Sequence, residues 1–155
     1  MRNLNEPDFP PLSGIKLFLG TLAVALATFM MVLDSSIANV AIPTIAGNLG
    51  VSIDEGTWVI TLFAAANAIS IPLTGWLTQR FGQVKLFITA IILFVLASFF
   101  CGFASSLPVL LTARVLQGLV AGPLIPLSQA LLLGSYPKER SAMAMAVWGM
   151  TATVG

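Results

Sequence analysis

Charged residues are scarce in this sequence. They make up 8% of its 155 residues, whereas 57% are hydrophobic, and a soluble domain usually carries about 25% charged residues. The net charge is only +1, so the composition shows no basic surface of the kind that binds nucleic acid. The shortage of charge argues against an ordinary soluble domain and indicates a membrane protein.

Histidine is absent, and cysteine occurs once, at Cys101. The absence of histidine removes the commonest metal ligand and general base, and a single cysteine cannot form a disulfide within the chain. Cys101 lies in an apolar run, where its simplest interpretation is a small packing residue. Because the sequence also shows no nucleophile–base pair, phosphate-binding loop or metal-ligand cluster, we predict neither an enzyme, nor a metal site, nor a bound cofactor.

Long apolar segments are abundant. Residues 1–14, rich in proline, are predicted to form a tail, and five apolar segments with short polar links follow. A membrane-spanning helix needs roughly 20 such residues. We therefore predict an all-α, polytopic membrane protein, with a polar loop over residues 43–55 and spans at about residues 15–42, 56–78, 86–104, 109–134 and 141–155.

The first apolar segment could also be a cleaved signal peptide. The apolar region of such a peptide normally runs about 7–15 residues, and residues 17–33 already exceed that length, so we predict an uncleaved first span.

The fifth segment is too short to cross the membrane, because fifteen residues rise about 22 Å while the hydrocarbon layer is roughly 30 Å thick. We therefore expect an amino-terminal fragment of a longer protein, truncated within its fifth span.

Local signals mark the second span. Ser52 and Glu55 have the spacing of a capping box, in which each residue satisfies a backbone amide of the other at a helix start. Pro72 lies inside the span and predicts a bend, because proline cannot donate the backbone hydrogen bond of a helix.

Basic residues outside the spans are distributed asymmetrically. If the spans alternate in direction, six of them fall on one side of the membrane, and the opposite loops, 43–55 and 105–108, contain none. Loops rich in lysine and arginine stay in the cytoplasm, so the amino terminus is predicted to be cytoplasmic. The six residues are Arg2, Lys16, Arg80, Lys85, Lys138 and Arg140.

Two ionisable residues, Asp34 and Arg114, lie inside apolar spans. At helical rise they lie about 12 Å and about 8 Å from the same side of the membrane. Ionisable residues within spans are costly and usually mark ion or substrate paths, so both are candidates for proton coupling or substrate contact. A conformational change around Asp34 would let it bind and release a proton. The alternative is a static ion pair, or a carboxylate bonded to Ser35 or Ser36, that only fixes packing.

The link after the second span contains a further pattern. Gly75 and Gly82 permit close backbone approach and a tight reversal. Arg80 and Lys85 suit anionic lipid or the negative end of a helix, and simple anchoring of a cytoplasmic loop explains them equally well.

Small and amide residues, with two prolines, form a set predicted to serve helix packing or gating. Small residues let helices touch, and amides supply bonds between helices. Proline interrupts backbone bonding, which a membrane tolerates only where other groups satisfy it. The sequence leaves ordinary packing and gating open as alternatives. The set comprises Asn39, Pro43, Gln117, Gly118, Gly122, Pro123, Gly149 and Gly155.

Four of these stretches, in this order, resemble motifs of the major facilitator superfamily, in particular its fourteen-span drug:proton antiporters. Residues 33–43 are similar to the first-span signature of that branch, and residues 75–85 to the superfamily's loop motif. Arg114 with Gln117-Gly118 resembles the fourth-span motif, and residues 148–155 resemble the start of the antiporter motif in span five.

The loop departs from its motif at three positions. Gln79 stands where an acid is usual, and Gln83 and Val84 stand where bases are usual. The antiporter motif also stops before its Gly-Pro portion, so antiport is implied by the family rather than by these residues.

The resemblance implies both a fold and an activity. The fold is the amino-terminal part of a superfamily helix bundle. That activity is proton-driven multidrug efflux, by alternating access, of lipophilic or amphiphilic toxic compounds across the bacterial inner membrane. The resemblance also implies a periplasmic adaptor and an outer-membrane channel as partners, beside the lipid bilayer and the small-molecule substrates. This fragment, which would lack the second bundle, is expected to be inactive alone.

Two other functions stay open at this point. The first is export of an endogenous metabolite or siderophore by a carrier of the same architecture, which a substrate panel would distinguish. The second is a membrane assembly subunit that transports nothing, against which two buried ions at matching depth argue.

Overall fold

The computed structural model describes residues 14–137 and 140–154. Most of the predicted tail, together with Lys138 and Gly155, lies outside these residues. The described residues form α-helices joined by short links, with a 3₁₀ turn at Ile71–Leu73 and without a β-strand. The helices are α1 Ile15–Leu49, α2 Ile53–Ser70, α3 Thr74–Phe81, α4 Gln83–Gly102, α5 Leu107–Ala121, α6 Leu124–Ser135 and α7 Ser141–Val154.

Four stretches of helix are long and apolar enough to cross a membrane: Ile15–Leu49, Ile53–Phe81, Gln83–Gly102 and Leu107–Ser135. The shortest has 20 residues, which at helical rise is about 30 Å, the thickness of the hydrocarbon layer. The predicted all-α, polytopic membrane fold is confirmed.

The first helix is longer than the sequence indicated. Its predicted end at residue 42 and the predicted loop over 43–49 are wrong, because α1 continues through Pro43 to Leu49. An interior proline removes its own backbone donor and crowds the carbonyl four residues earlier, and the helix continues because the added turns pack on α2. There a Cβ built at Gly56 would lie 3.5 Å from the Cβ of Ala46.

Glycine, rather than proline, stops α1. Gly50 has φ 66°, a left-handed conformation, and the N–H of Val51 donates to the carbonyl of Ala46 at 3.0 Å. This is the pattern of a Schellman motif, which satisfies the last carbonyls of a helix.

The predicted signals of the second span are present. Ser52 and Glu55 form the capping box at the start of α2: the Ser52 N–H donates to Glu55 Oε2 at 2.9 Å, and the Glu55 N–H donates to Ser52 Oγ at 3.2 Å. At the other end, the 3₁₀ turn Ile71–Leu73 contains Pro72 and separates α2 from α3. The regular helix is therefore interrupted where the sequence placed a bend.

The fourth span is also interrupted, as Pro123 and Pro126 predict. Gly122 and Pro123 keep right-handed dihedral angles between α5 and α6, so the chain continues in the same helical sense. The interruption lies in the backbone bonding that Pro123 and Pro126 cannot make.

Two of the predicted packing glycines bring α2 and α5 into close contact. A Cβ built at Gly118 would overlap the carbonyl oxygen of Phe63 and lie 2.9 Å from the Cβ of Ala66. A Cβ built at Gly122 would overlap Ser70 Oγ and lie 2.7 Å from the carbonyl oxygen of Asn67. A side chain at either position would therefore force α2 and α5 to shift, which agrees with the predicted packing role.

The remaining helices assemble around a common apolar core. Helix α1 packs against α2, α6 and α7, and α4 packs against α5 and α6. Hydroxyl and indole groups add bonds between elements: Thr21 Oγ1 lies 3.1 Å from Tyr136 OH, and Trp148 Nε1 donates to Ser128 Oγ at 2.9 Å. Core residues include Val24, Met31, Phe63, Phe87, Phe94, Leu124, Leu127 and Leu132.

We expect Gly122→Ala to destabilise the bundle by about 1–3 kcal/mol, because the added methyl must displace Ser70 or separate α2 from α5. The measurement is thermal unfolding of the purified full-length protein in detergent. The matched control is Gly134→Ala, since a Cβ at position 134 meets nothing within 4 Å. Equal stability of the two variants would contradict the close contact.

Candidate functional site

The candidate site is built on Asp34, in the middle of α1, and Arg114, on α5. Arg114 Nη1 donates to Asp34 Oδ2 at 2.7 Å, and the two side chains are 9% and 14% exposed, respectively. The sequence placed the two residues in the same half of the membrane, and in the structure they form a direct ion pair. A short bond between two ionised groups is roughly twice as strong as a neutral one.

Gln117 joins the ion pair on both sides. Its Nε2 donates to Asp34 Oδ1 at 3.0 Å, and its Oε1 accepts from Arg114 Nη1 at 2.8 Å. Gln117 is completely buried, and its spacing of three residues from Arg114 places both side chains on one face of α5. The amide therefore fixes how the guanidinium meets the carboxylate.

Helix α4 contributes two residues that the sequence analysis missed. Ser98 Oγ donates to Asp34 Oδ1 at 3.3 Å, and Cys101 Sγ donates to Gln117 Oε1 at 3.7 Å. Ser98 lies six residues before the predicted end of its span at 104, which is about 9 Å at helical rise. That depth matches Arg114, so counting depth for neutral polar residues would have found it.

The guanidinium of Arg114 is held in a largely apolar environment. Its Cζ lies 5.9 Å from the centre of the Phe63 ring on α2, within the range of a cation–π contact. Its Nε is buried and has no hydrogen-bond partner among the described residues. A buried ion pair adds little net stability, because desolvation offsets the attraction. The pair is therefore better explained by function or conformational specificity than by stability.

Two cavities meet at Asp34. One, of about 440 Å³, extends from Asp34, Ser98 and Arg114 toward the ends of α1 and α4 at Leu49 and Gly102. The other, of about 620 Å³, lies between α1 and α4 and is mainly apolar. Its lining includes Leu26, Phe29, Met30, Leu33, Phe94 and Phe99.

The loop pattern lies outside this network. Gly82 has φ 83°, which supports its predicted role in a tight reversal, whereas a Cβ at Gly75 would meet nothing within 4 Å. Arg80 and Lys85 are exposed, and the Arg80 guanidinium lies 5.7 Å from the Trp76 ring. The predicted close approach at Gly75 is absent from the described part of the chain.

The other predicted packing or gating residues also lie apart from the ion pair. Asn39 is exposed, and its Nδ2 donates to the carbonyl of Ser35 at 2.8 Å, while Pro43 is exposed within α1. A Cβ built at Gly149 would meet nothing within 4 Å. A gating role for these three residues stays a prediction.

Metal ligands are not grouped in the part of the chain that the structure describes. No set of three or more His, Cys, Asp or Glu residues there lies close enough to hold an ion. What the arrangement offers a ligand is a paired carboxylate and guanidinium, at Asp34 and Arg114, beside two cavities.

Comparison with known proteins gives the family. Residues 24–155 match the Major Facilitator Superfamily. The chain is 63% identical over 146 residues to the multidrug export protein EmrB of Haemophilus influenzae and 62% identical over 144 residues to EmrB of Escherichia coli. It is 56% identical over 147 residues to the fatty acid resistance protein FarB of Neisseria gonorrhoeae.

These matches cover 93–95% of this chain but only 28–29% of each relative. The chain thus spans less than a third of the length of the proteins it resembles. Its four membrane-length helices and the match over residues 24–155 lead to the same conclusion: the chain is part of a multi-pass membrane protein and belongs to the Major Facilitator Superfamily.

Proposed function

We propose that the full-length protein is a proton-coupled multidrug efflux transporter of the bacterial inner membrane. It would export lipophilic or amphiphilic toxic compounds by alternating access, with the proton gradient as its energy source and no cofactor. The observation that carries the proposal is the placement of Asp34, a carboxylate only 14% exposed that is paired with Arg114 and lines two cavities.

Proton binding at Asp34 would act through the ion pair. A protonated carboxyl has no negative charge, so its attraction to Arg114 falls from that of a charge-assisted bond to that of an ordinary one. Asp34 belongs to α1, and Arg114 belongs to α5. Loss of the attraction would allow the two helices to change their relative position, and the return of the charge would restore the paired state.

The apolar cavity between α1 and α4 supports a lipophilic substrate. Its volume of about 620 Å³ is in the range of small-molecule sites, and Phe29, Met30 and Phe99 provide surfaces that adapt to varied shapes. Two relatives are named as multidrug export proteins and another as a fatty acid resistance protein. Compounds with an apolar body and one polar group suit both the cavity and these names.

We also propose the arrangement in the cell that the resemblance implies. The amino terminus would face the cytoplasm, because the α1–α2 and α4–α5 links, on the opposite side, contain no lysine or arginine, and the first turn of α2 beside them carries Asp54 and Glu55. A periplasmic adaptor and an outer-membrane channel would receive the exported compound.

The first test is Asp34→Asn in the full-length protein. We expect the variant to insert normally but to lose at least 90% of its drug-dependent proton flux, because the amide cannot take up a proton at neutral pH. The measurement uses everted membrane vesicles, a pH-sensitive dye, and a panel of lipophilic dyes, fatty acids, siderophores and polar metabolites.

The matched control is Asp54→Asn, the same chemical change at an exposed position on the first turn of α2. It should transport like the wild type. Undiminished flux in Asp34→Asn would overturn the coupling role. A response to siderophores or metabolites alone would indicate a dedicated exporter, and no flux in the wild type would favour an assembly subunit.

The second test concerns the ion pair. Arg114→Gln leaves Asp34 without its cationic partner, and we expect a loss of roughly 3 kcal/mol of stability. Adding Asp34→Asn should recover most of this loss, because both partners are then neutral, but should not restore transport. Thermal unfolding and vesicle flux are measured for both single variants and for the double variant, which together form a double-mutant cycle. Additive stability losses would show that the two residues do not interact.

The third test concerns orientation. In a Cys101→Ala background, a cysteine at Ser105, in the link between α4 and α5, should react with an impermeant maleimide added to intact spheroplasts. A cysteine at Gln83, at the start of α4, should react only after permeabilisation. The reverse labelling pattern would place the amino terminus outside.

A further inference from the structure

The Ser98 hydroxyl on α4 touches the carboxylate that the proposed function depends on. We propose that Ser98 is a positioning residue for proton uptake: it donates to Asp34 when the carboxylate is charged and accepts from Asp34 when the carboxyl is protonated. This inference rests on the proposed function and adds to it a residue outside the four family-like motifs.

The charged carboxylate of Asp34 has three hydrogen-bond donors around it. Asp34 Oδ2 accepts from Arg114, and Oδ1 accepts from both Gln117 and Ser98, at 2.7, 3.0 and 3.3 Å. A carboxylate is an acceptor only, so all three donors suit the charged state.

Protonation turns one oxygen of Asp34 from a hydrogen-bond acceptor into a donor. The new O–H group needs an acceptor, and the guanidinium of Arg114 has none. Gln117 already uses its Oε1 to accept from Arg114 at 2.8 Å, and turning its amide over would bring the Nε2 donor against that guanidinium. A hydroxyl both donates and accepts and rotates freely. Ser98 is therefore the side chain of this network that can bond Asp34 in both states.

The position of Ser98 supports the same role. Asp34, Ile37 and Ser98 line both cavities, so the hydroxyl lies beside the carboxylate where the two cavities meet. Arg114, in contrast, lines only the cavity of about 440 Å³, and Gln117 is completely buried. A proton that reaches Asp34 through either cavity would therefore pass close to the Ser98 hydroxyl.

Few other ionisable groups surround Asp34. Arg114 on α5 and Cys101 on α4 face the network. The described residues of α6 and α7 contain no ionisable side chain, and the acids of α2, Asp54 and Glu55, lie exposed in its first turn. A change in proton binding caused by substitution of Ser98 can thus be assigned to the Asp34 network.

The test follows the carboxyl directly. Infrared difference spectra of the purified full-length protein, recorded across a pH series, show a carboxylic acid band for each group that takes up a proton. The band that Asp34→Asn removes belongs to Asp34. We compare its midpoint pH in wild type, Ser98→Ala, Ser98→Val and Ser98→Thr, with Ser105→Ala, in an exposed link, as the control.

Loss of the hydroxyl takes from the charged state the longest of its three donors, at 3.3 Å, and leaves Arg114 and Gln117 at 2.7 and 3.0 Å. In the protonated state the same change leaves the new O–H without its acceptor, which is the larger cost for a buried group. We therefore expect the midpoint to shift to lower pH by up to about one unit in Ser98→Ala and Ser98→Val. Ser98→Thr, which has nearly the shape of valine but keeps a hydroxyl, should titrate like the wild type, as should Ser105→Ala.

The outcomes separate this inference from the proposed function. Equal midpoints in Ser98→Val and Ser98→Thr would overturn the role of Ser98 and leave coupling at Asp34 intact. No band assignable to Asp34 would overturn both. If the valine variant does not fold, Ser98→Ala against Ser98→Thr gives the same comparison with a smaller side chain.

Discussion

The ion pair between Asp34 and Arg114 is the interaction on which the interpretation of this structure depends. Two ionised groups are rarely placed inside a membrane, and pairing only partly offsets the cost of removing them from water. Three helices supply the network: α1 provides the acid, α5 the guanidinium and an amide, and α4 a hydroxyl. Because each bond to Asp34 joins α1 to another helix, these bonds depend on the relative positions of the helices.

Close packing of α2 and α5 sets the geometry of that network. Gly118 and Gly122 bring α5 against α2 closely enough that no side chain fits between the backbones. Arg114 lies one turn before Gly118, and its guanidinium faces the Phe63 ring of α2 at 5.9 Å. The glycines thus fix the rotation of α5, and this rotation brings Arg114 and Gln117 toward Asp34.

The family assignment and the proposed role of the site agree, and they rest on different observations. Membership of the Major Facilitator Superfamily rests on residues 24–155, whereas the proposal of proton coupling rests on Asp34 and its partners. In such transporters two helical bundles move around a central site. This chain spans less than a third of its relatives, so the proposed motion concerns the full-length protein, and the network described here would be its proton-responsive part.

The membrane class and the order of the apolar helices could be predicted from the sequence, because apolar length is a property of a single helix. Helical rise likewise predicted that Asp34 and Arg114 lie in the same half of the membrane, and the structure pairs them. The sequence also located the capping box at Ser52 and the break at Pro72, both of which depend on neighbours along the chain. It did not predict the continuation of α1 past Pro43, since packing on α2 compensates for the missing bond.

Tertiary structure alone decided which side chains meet. Gly122 and Gly149 look alike in the sequence, yet one contacts a neighbouring backbone and the other has open space beside it. Nothing in the sequence distinguishes Ser98 from another serine in an apolar span, whereas in the structure its hydroxyl donates to Asp34. The physical reason is that spacing along a helix gives height but not rotation. Rotation is fixed by how neighbouring helices fit together, which no single segment encodes.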